Sequence, residues 1–204
     1  MVEVIAGVVL AIAAGLNAYI PLLGVALLAR FTPLITLPEN WTWLELDWVM
    51  WVLGGLLALE VLVDKFPVLD TVNDVLQTLV RPASGGMVFS IGVSSETAAV
   101  TDPQAMLTSE GLWPFLIGIG VALIPHVLKA IVRPVVNVVT GGAGAAVTSA
   151  AEDIGAVALT VLALVAPVAA LVGAVIVLIL LVRRLRRAIR RRREARAGRS
   201  LPAA

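Results

Sequence analysis

The 204-residue sequence contains no cysteine and only one histidine. Without cysteine the chain forms no disulfide, and a lone histidine has no second histidine or cysteine with which to build a common zinc site. The sequence also lacks a phosphate-binding P-loop, an HExxH zinc pair and a GxSxG nucleophile elbow. We therefore expect no metal and no cofactor, and none of these signatures argues for an enzyme.

Charged residues are scarce, at 14% of the sequence, whereas hydrophobic residues make up 60% and the mean hydropathy is +1.01. Soluble domains are only about 45–50% apolar. Ten of the fifteen basic residues lie within positions 183–199, and residues 1–182 carry five basic and thirteen acidic residues. The sequence therefore predicts a transmembrane helical domain over residues 1–182 and a basic cytoplasmic tail over residues 183–204.

Four apolar stretches approach the roughly 20 residues that cross a bilayer core. They are residues 4–29, 48–63, 112–132 and 154–182. The first stretch lacks a basic region before it, so we expect a retained membrane segment rather than a cleaved signal peptide. A fifth stretch, ASGGMVFSIGV at residues 83–93, is too short to span and favours a re-entrant turn or a surface loop. The predicted fold is an all-α, polytopic transmembrane bundle of about four spans with broken or re-entrant helices.

Tryptophan and arginine residues predict the orientation. Four of the five tryptophans lie between residues 41 and 51 and the fifth is Trp113, next to the second and third spans, where indole rings favour the headgroup level. The positive-inside bias places the arginine-rich tail in the cytoplasm, and with four spans the N-terminus also. Residues 31–47, with three acids and no Lys or Arg, then lie outside. Lys129 and Arg133 do not fit this orientation as loop charges, so either they are buried in the protein or the number of spans is not four.

These features indicate a multi-pass protein of the cell (inner or plasma) membrane whose main partner is the lipid bilayer. The tail is expected to attract anionic lipid headgroups, at about 1 kcal/mol per basic residue near the surface. Assembly with further copies of the chain is compatible with this class. We expect no nucleic-acid partner, because no aromatic residues are interleaved with the arginines.

Polar residues within or beside the apolar stretches fall on single helix faces. The first stripe comprises His126, Lys129, Arg133 and Asn137, and the second comprises Asp70, Asp74, Gln77 and Arg81. Both follow helical spacing. Charged groups at membrane depth cost a few kcal/mol each, so they normally face a bundle interior and pair with one another. The anionic partners expected for the cations of the third span are Glu60, Asp64, Glu152 and Asp153.

Two glycine-containing segments break the apolar pattern, GLNAYIPLL at residues 15–23 and TGGAGAAVTS at residues 140–149. Broken helices in transporters expose backbone groups near the midplane, which favours a site role for Asn17 and Tyr19. For the small residues 142–146, close helix packing is the better explanation. A faint internal echo, with an Arg-Pro pair at 81–82 and another at 133–134, would indicate two related halves if it reflects a duplication.

Several motifs together resemble bacterial membrane proteins classed under the domain of unknown function 4126. They are AGLNAYIPLL near the N-terminus, ExxxDKxPxLD at residues 60–70, VRPxxG at 80–85, HxxKAxxRP at 126–134, and SxxED at 149–153 followed by an alanine-rich span containing Ala166-Pro167. The resemblance implies that these polar positions form one set. It brings no catalytic residue, because the family's function is not known.

The sequence favours a small transporter or channel with a buried charged site for an ion or small polar solute. The predicted site residues are Asn17, Tyr19, Glu60, Asp64, Lys65, Asp70, Arg81, His126, Lys129, Arg133, Asn137, Ser149, Glu152 and Asp153. Glu60 or His126 would be a chemically reasonable proton carrier. Two alternatives stay open: a scaffold or assembly protein whose buried ions only pair, and a membrane-embedded enzyme that modifies a lipid headgroup by acid–base chemistry.

Overall fold

The structure is a computed structural model that describes residues 1–94 and 109–180, together with Arg183 and Arg187. Every regular element within this part of the chain is helical, as the sequence predicts. The elements are α1 Val2–Leu16, α2 Tyr19–Phe31, a 3-10 helix Glu39–Glu45, α3 Asp47–Val63, α4 Pro67–Ser94, α5 Ser109–Thr140, α6 Ala143–Val165 and α7 Pro167–Leu180. Apart from Arg183 and Arg187, the basic tail lies outside the described residues.

The first apolar run is two helices because Asn17 breaks it. Asn17 has an extended backbone, with φ −144° and ψ 124°. Its side-chain Oδ1 accepts hydrogen bonds from the amides of Tyr19 and Ile20 at 3.0 and 3.2 Å, which is the bonding pattern of a helix N-cap. Pro21 lies in the first turn of α2, where a missing N–H removes no intrahelical bond. The asparagine of GLNAYIPLL therefore starts a second helix.

Contacts between helices define two ends of the molecule. At the C-terminal end of α3, Glu60 contacts Arg81 of α4 and Asp64 contacts Asn73 of α4. Helices α3 and α4 are therefore antiparallel. Because α5 also runs antiparallel to α4, the turns at residues 64–66 and 141–142 lie at one end, which we call the turn end. The opposite end, where α1 and α3 begin and α4 ends, is called the N-terminal end.

Helix α2 returns towards the N-terminal end. Its start is at Asn17, beside Asp153 of α6, whereas its last turn carries Arg30, which pairs with Asp47 at the start of α3 at 3.2 Å. Helix α1 runs the other way, since Gly7 near its start packs against Gly92 near the end of α4. The two helices therefore form a helical hairpin with Asn17 at its tip, and the break between them falls within residues 15–23, where the sequence predicts one.

Small residues bring α1, α4 and α5 into close contact. A Cβ added at Gly85 would collide with the side chain of Ala122 and lie 3.0 Å from the carbonyl oxygen of Gly118. A Cβ at Gly118 would collide with the carbonyl oxygen of Gly85 and lie 2.6 Å from Cβ of Phe89. Residues 83–93 are thus part of α4 and packed against its neighbours, so the expected re-entrant turn or surface loop is wrong. Membrane helices commonly approach through such residues.

The second predicted break is shorter than its sequence suggests. Only Gly141 and Gly142 interrupt the helices, and their positive φ values of 62° and 91° explain why glycine is needed there. Residues 143–149 already form the first turns of α6, where Gly144 packs against Val136 and Thr140. A further break at Ala166 precedes Pro167, so the last apolar stretch is also two helices.

Large apolar side chains face outwards while charged side chains are buried. On α4, Val75 and Leu79 are 70% and 79% exposed, and Arg81 is 0% exposed. On α5, Ile131 and Val138 are exposed, and the neighbouring cations of the polar stripe are buried. In water this surface would be an unfavourable apolar patch, whereas in lipid it is the expected arrangement. These are the helices of a membrane-embedded protein.

Two helical segments in the described part are long and apolar enough to cross a membrane, Leu112–Thr140 and Ala143–Val165. The 3-10 helix and α3 form a pair bent by 66°, which would make a third span. The described residues therefore contain two or three candidate spans. The count of four and the relation between two halves stay predictions.

Candidate functional site

Ionisable side chains from four helical segments meet inside the bundle, towards the turn end. We call this set the charge network, and its members are Glu60, Asp64, Asp74, Arg81, Lys129, Arg133 and Glu152. The residues come from the end of α3, the first half of α4, the second half of α5 and the beginning of α6. Of the anionic partners expected for the third-span cations, Asp64 and Glu152 pair with Lys129 and Arg133. Glu60 pairs with Arg81 instead, and Asp153 accepts a hydrogen bond from Asn17.

The deepest ion pair joins α3 to α4. Arg81 Nη2 donates to Glu60 Oε1 at 2.8 Å, and the two side chains are 0% and 1% exposed. The helical spacing of α4 directs Arg81 inwards on the same face as Asp74 and Gln77. Such a pair is favourable only if its remaining polar atoms are also satisfied, because desolvation of both ions is costly.

The cations of α5 share two carboxylates. Lys129 Nζ lies 2.9 Å from Glu152 Oε2 and 3.3 Å from Asp64 Oδ2. Arg133 Nη2 lies 2.9 and 3.1 Å from the same two oxygen atoms. These cations are one helical turn apart, so α6 and the end of α3 meet the same face of α5. Lys129 and Arg133 are thus internal and do not act as loop charges.

Two aspartates occupy the centre of the network. Asp64 Oδ2 is within 4 Å of all three cations, and its Oδ1 accepts a hydrogen bond from Asn73 at 2.8 Å. Asp74 Oδ1 lies 3.6 to 3.8 Å from the same three cations without a hydrogen bond to any described group. Asp64 therefore makes the shorter bonds, and Asp74 contributes mainly through its charge.

The tip of the α1–α2 hairpin is fixed beside this network. The Asn17 amide donates to Asp153 Oδ1 at 2.9 Å, which ties the tip to α6. Ser84 Oγ donates to the carbonyl oxygen of Ala18 at 2.6 Å, which ties it to α4. Asn17 is fully buried, so its three hydrogen bonds are made away from water. The predicted role of Asn17 beside a polar site fits this position.

His126 lies on the same face of α5 but in a separate contact. Its Nε2 is 3.1 Å from Oγ1 of Thr78, and that hydroxyl donates its proton to the carbonyl oxygen of Asp74. The histidine contact therefore needs an Nε2–H donor, which leaves Nδ1 as an acceptor. Nδ1 is buried with no hydrogen-bond partner among the described residues.

Other buried polar atoms around the network also lack partners in the described part of the chain. They include Glu60 Oε2, Gln77 Oε1, Arg81 Nε and Nη1, and Ser149 Oγ. Buried polar groups are nearly always hydrogen-bonded, so such a concentration indicates water or a bound solute. No group of three or more His, Cys, Asp or Glu side chains in the described residues is arranged to hold a metal ion.

Exposure changes across the network. The side chains of Asp74 and Glu152 are 16% and 18% exposed, whereas those of Glu60 and Arg81 are almost completely buried. Beyond Arg81, towards the N-terminal end, the glycines of α4 and α5 close the interior. The network is therefore more exposed on the side of Asp74 and Glu152, which we call its accessible side, and almost completely buried at the Glu60–Arg81 pair.

Most of the predicted site residues lie in or beside the charge network. Six of them belong to the charge network: Glu60, Asp64, Arg81, Lys129, Arg133 and Glu152. Asn17 and Asp153 pair beside it, and Ser149 is buried one turn before Asp153. Tyr19 supplies its backbone amide to the Asn17 cap.

The remaining predictions fare differently. Lys65 is exposed in the turn after α3 and lies outside the network. Asn137 makes no described ion pair or hydrogen bond through its Oδ1. The side chain of Asp70 lies outside the described residues. Asp74 was omitted from the predicted site, although its helical spacing from Arg81 places both on one face of α4.

The chain matches the family model of the domain of unknown function DUF4126 over residues 4–187. In the comparisons with curated proteins and with solved structures, nothing matches the chain. The match covers the hairpin and the whole charge network.

Proposed function

We propose that this chain, which belongs to the DUF4126 family, is a small membrane transporter or channel whose charge network binds an ion or a small polar solute. The family has no established function, so the proposal depends on the site alone. The observation that carries it is the concentration of buried polar atoms without protein partners inside a lipid-facing shell.

Those atoms include donors as well as acceptors. Arg81 Nη1 has a proton to donate, while Glu60 Oε2 and Ser149 Oγ have lone pairs to fill. Leaving a buried group unsatisfied costs about 1–3 kcal/mol, and more for a charged group. Water or a polar solute at the network removes this cost, which supports a hydrated binding site rather than a dry ionic core.

The proposed membrane arrangement has four crossings and one re-entrant hairpin. With 15 and 13 residues, α1 and α2 reach only about 22 and 20 Å, short of the roughly 30 Å core. They enter from the N-terminal end and return, while α3, α4, α5 and the pair α6–α7 cross. Val2 and Ile176 line one cavity, so α7 ends on the side where α1 begins.

This arrangement changes the expected orientation of one segment. Residues 31–47 connect α2 to α3 at the N-terminal end, so they share a side with the basic tail. If the positive-inside bias holds, that side is the cytoplasm and the accessible side of the network faces away from it. The assignment to the inner or plasma membrane belongs to this proposal.

The α1–α2 hairpin supplies the discontinuous helix that the transport proposal requires. Discontinuous helices in transporters place helix ends next to a site near the midplane, and α2 begins next to Asp153. Solute would enter past Asp74 and Glu152, the partly exposed acids, and reach the pair of Glu60 and Arg81. Passage to the N-terminal end then requires movement of the hairpin against the glycine-packed helices.

A scaffold function is the second candidate, and one observation favours it. Arg81, Lys129 and Arg133 all lie within 4 Å of carboxylates, as ion pairs that only fix helix register would. This candidate predicts a dry network that no solute reaches. The orphan atoms described above favour the transport proposal.

Flux measurements on the purified full chain in liposomes test the proposal. The probes are gradients of sodium chloride, potassium chloride and small neutral solutes, followed by light scattering. We expect flux of at least one probe, reduced at least about 10-fold by Lys129→Met, which removes a network cation. Asp47→Asn is the matched control, because this exposed acid lies outside the network. A folded protein that passes none of the probes, or full flux in Lys129→Met, contradicts the proposal.

A further inference from the structure

The charge network has more acids than bases. Its four carboxylates, Glu60, Asp64, Asp74 and Glu152, face three cations, so full ionisation leaves the described network at a net charge of −1. Asp153 adds a further acid nearby. An uncompensated charge in the interior costs several kcal/mol, so one more positive charge belongs here.

Geometry indicates which acid receives that charge. Asp64 and Asp74 each lie within 4 Å of three cations, and Glu152 lies within 4 Å of two. Among the described ion pairs, Glu60 has Arg81 alone. The anionic form of Glu60 is therefore the least compensated of the four. A positive charge placed on Glu60 disrupts the fewest ion pairs.

The surroundings of Glu60 are suited to a proton. Its Oε1 accepts from Arg81 while its Oε2 has no partner among the described groups. Gln77, one turn before Arg81, carries a second unpaired acceptor, and Tyr19 lies beside both Glu60 and Gln77. A buried acceptor without a hydrogen-bond donor is unfavourable. A proton on Glu60 Oε2 turns one acceptor into a donor and leaves the Arg81 bond intact.

The groups that face Glu60 come from every helix packed around it. They are Tyr19 on α2, Arg81 on α4, Lys129 on α5 and Asp64 at the end of its own helix. In the described part of the chain, no three His, Cys, Asp or Glu side chains are arranged to hold a metal ion. A proton needs no coordination shell, and so it fits where a metal cation does not.

We infer that the charge network exchanges one proton and that Glu60 carries it. This inference rests on the proposed function, and it names the proton as the ion to which solute movement is coupled. Protonation removes the excess negative charge, and release through the partly exposed Asp74 and Glu152 restores it. The accessible side of the network is thus also the side from which the proton arrives.

Proton exchange is measured on the purified full chain in detergent, without any flux. Infrared difference spectra between high and low pH report the carbonyl stretch of a protonated carboxylic acid in a dry environment. A pH indicator counts protons taken up per chain. We expect a buried-acid band in the native protein that Glu60→Gln removes, together with one proton fewer per chain. Asp47→Asn, which removes an exposed acid of the same helix, should leave the band unchanged.

Glu60→Gln is expected to fold, because glutamine still accepts the bond from Arg81 and leaves three acids facing three cations. If this variant cannot be purified, isotopic labelling of glutamate in the native protein distinguishes a glutamic acid band from an aspartic acid band. If the band does not shift when glutamate is labelled, the assignment to Glu60 is overturned.

Two further results would contradict the inference. Persistence of the band in folded Glu60→Gln shows that another acid carries the proton, and loss of the band in sodium chloride but not in choline chloride shows that sodium occupies the site. Failure of the proposed function would give a different combination of results from failure of this inference. In that case the band and its loss in Glu60→Gln are observed, but liposomes show no flux.

Discussion

Helices α4 and α5 each contain two parts that stabilise the bundle in opposite ways. Towards the N-terminal end, Gly85 and Gly118 let the backbones touch, and no added methyl group would fit. Towards the turn end, Arg81 and Lys129 hold the same helices through ion pairs. The change occurs over about one turn of α4 and about three turns of α5, while the outer faces remain apolar throughout.

The difference supports the ionic part of the interior as the proposed solute site. Close approach at the glycines leaves little space between the backbones, so in the transport proposal the glycine-packed part acts as the barrier. The ionic part leaves donors and acceptors unfilled, as Glu60 Oε2 and Ser149 Oγ show. One bundle thus combines a closely packed segment with a segment in which several buried polar atoms have no partner among the described residues.

The largest expected effect comes from breaking the deepest ion pair. Arg81→Met removes the donor to Glu60 Oε1 and leaves the four network carboxylates facing two cations, and loss of one partner of a buried pair costs about 3–5 kcal/mol. The double variant Arg81→Met/Glu60→Gln should recover part of that loss, because it also removes one of the excess acids. Reversible unfolding in mixed detergents measures both. A single variant as stable as the native protein would contradict the assignment of this pair.

Overpacking the glycine interface should have the next largest effect. Gly118→Val places methyl groups against Gly85 and Phe89, and forced overpacking typically costs about 1–3 kcal/mol. Gly120→Val is the matched control on the same helix, since nothing lies within 4 Å of a Cβ there. The unfolding free energy of Gly120→Val should stay close to native. Equal losses in the two variants would mean that the glycine interface does not set the packing.

The polar stripes were predictable from sequence, whereas the hairpin was not. The membrane penalty for charge forces Lys129 and Arg133 inwards, and helical spacing then fixes which face they share. The contact of Asn17 with Asp153 joins residues 136 positions apart and depends on the direction of α2, which no local pattern specifies. Residues 83–93 were misassigned because glycine and serine usually indicate loops, while in lipid they allow helices to approach.

A smaller effect is expected at the hairpin tip, which joins the two parts. Asn17→Ala removes the cap of α2 and the bond to Asp153, and loss of a cap alone costs about 0.5–2 kcal/mol. Asn17→Ser keeps a capping oxygen but not the amide donor, so it separates the two contributions. Hydrogen exchange at the amides of Tyr19 and Ile20 should accelerate in the alanine variant and much less in the serine variant. Equal exchange in all three proteins would show that Asn17 does not cap α2.

The smallest effect is expected at an ion pair outside both parts. Arg30 and Asp47 are 3.2 Å apart, almost the same separation as Lys129 and Asp64 at 3.3 Å. The side chains of the first pair are 45% and 72% exposed and those of the second are 2% and 3% exposed. Exposed pairs contribute about 0–1 kcal/mol, so Asp47→Asn should hardly change the unfolding free energy, while Lys129→Met should lower it substantially. The measured difference reflects the burial of Lys129 together with its further contacts to Glu152 and Asp74. Similar losses would mean that the network is as well solvated as the protein surface.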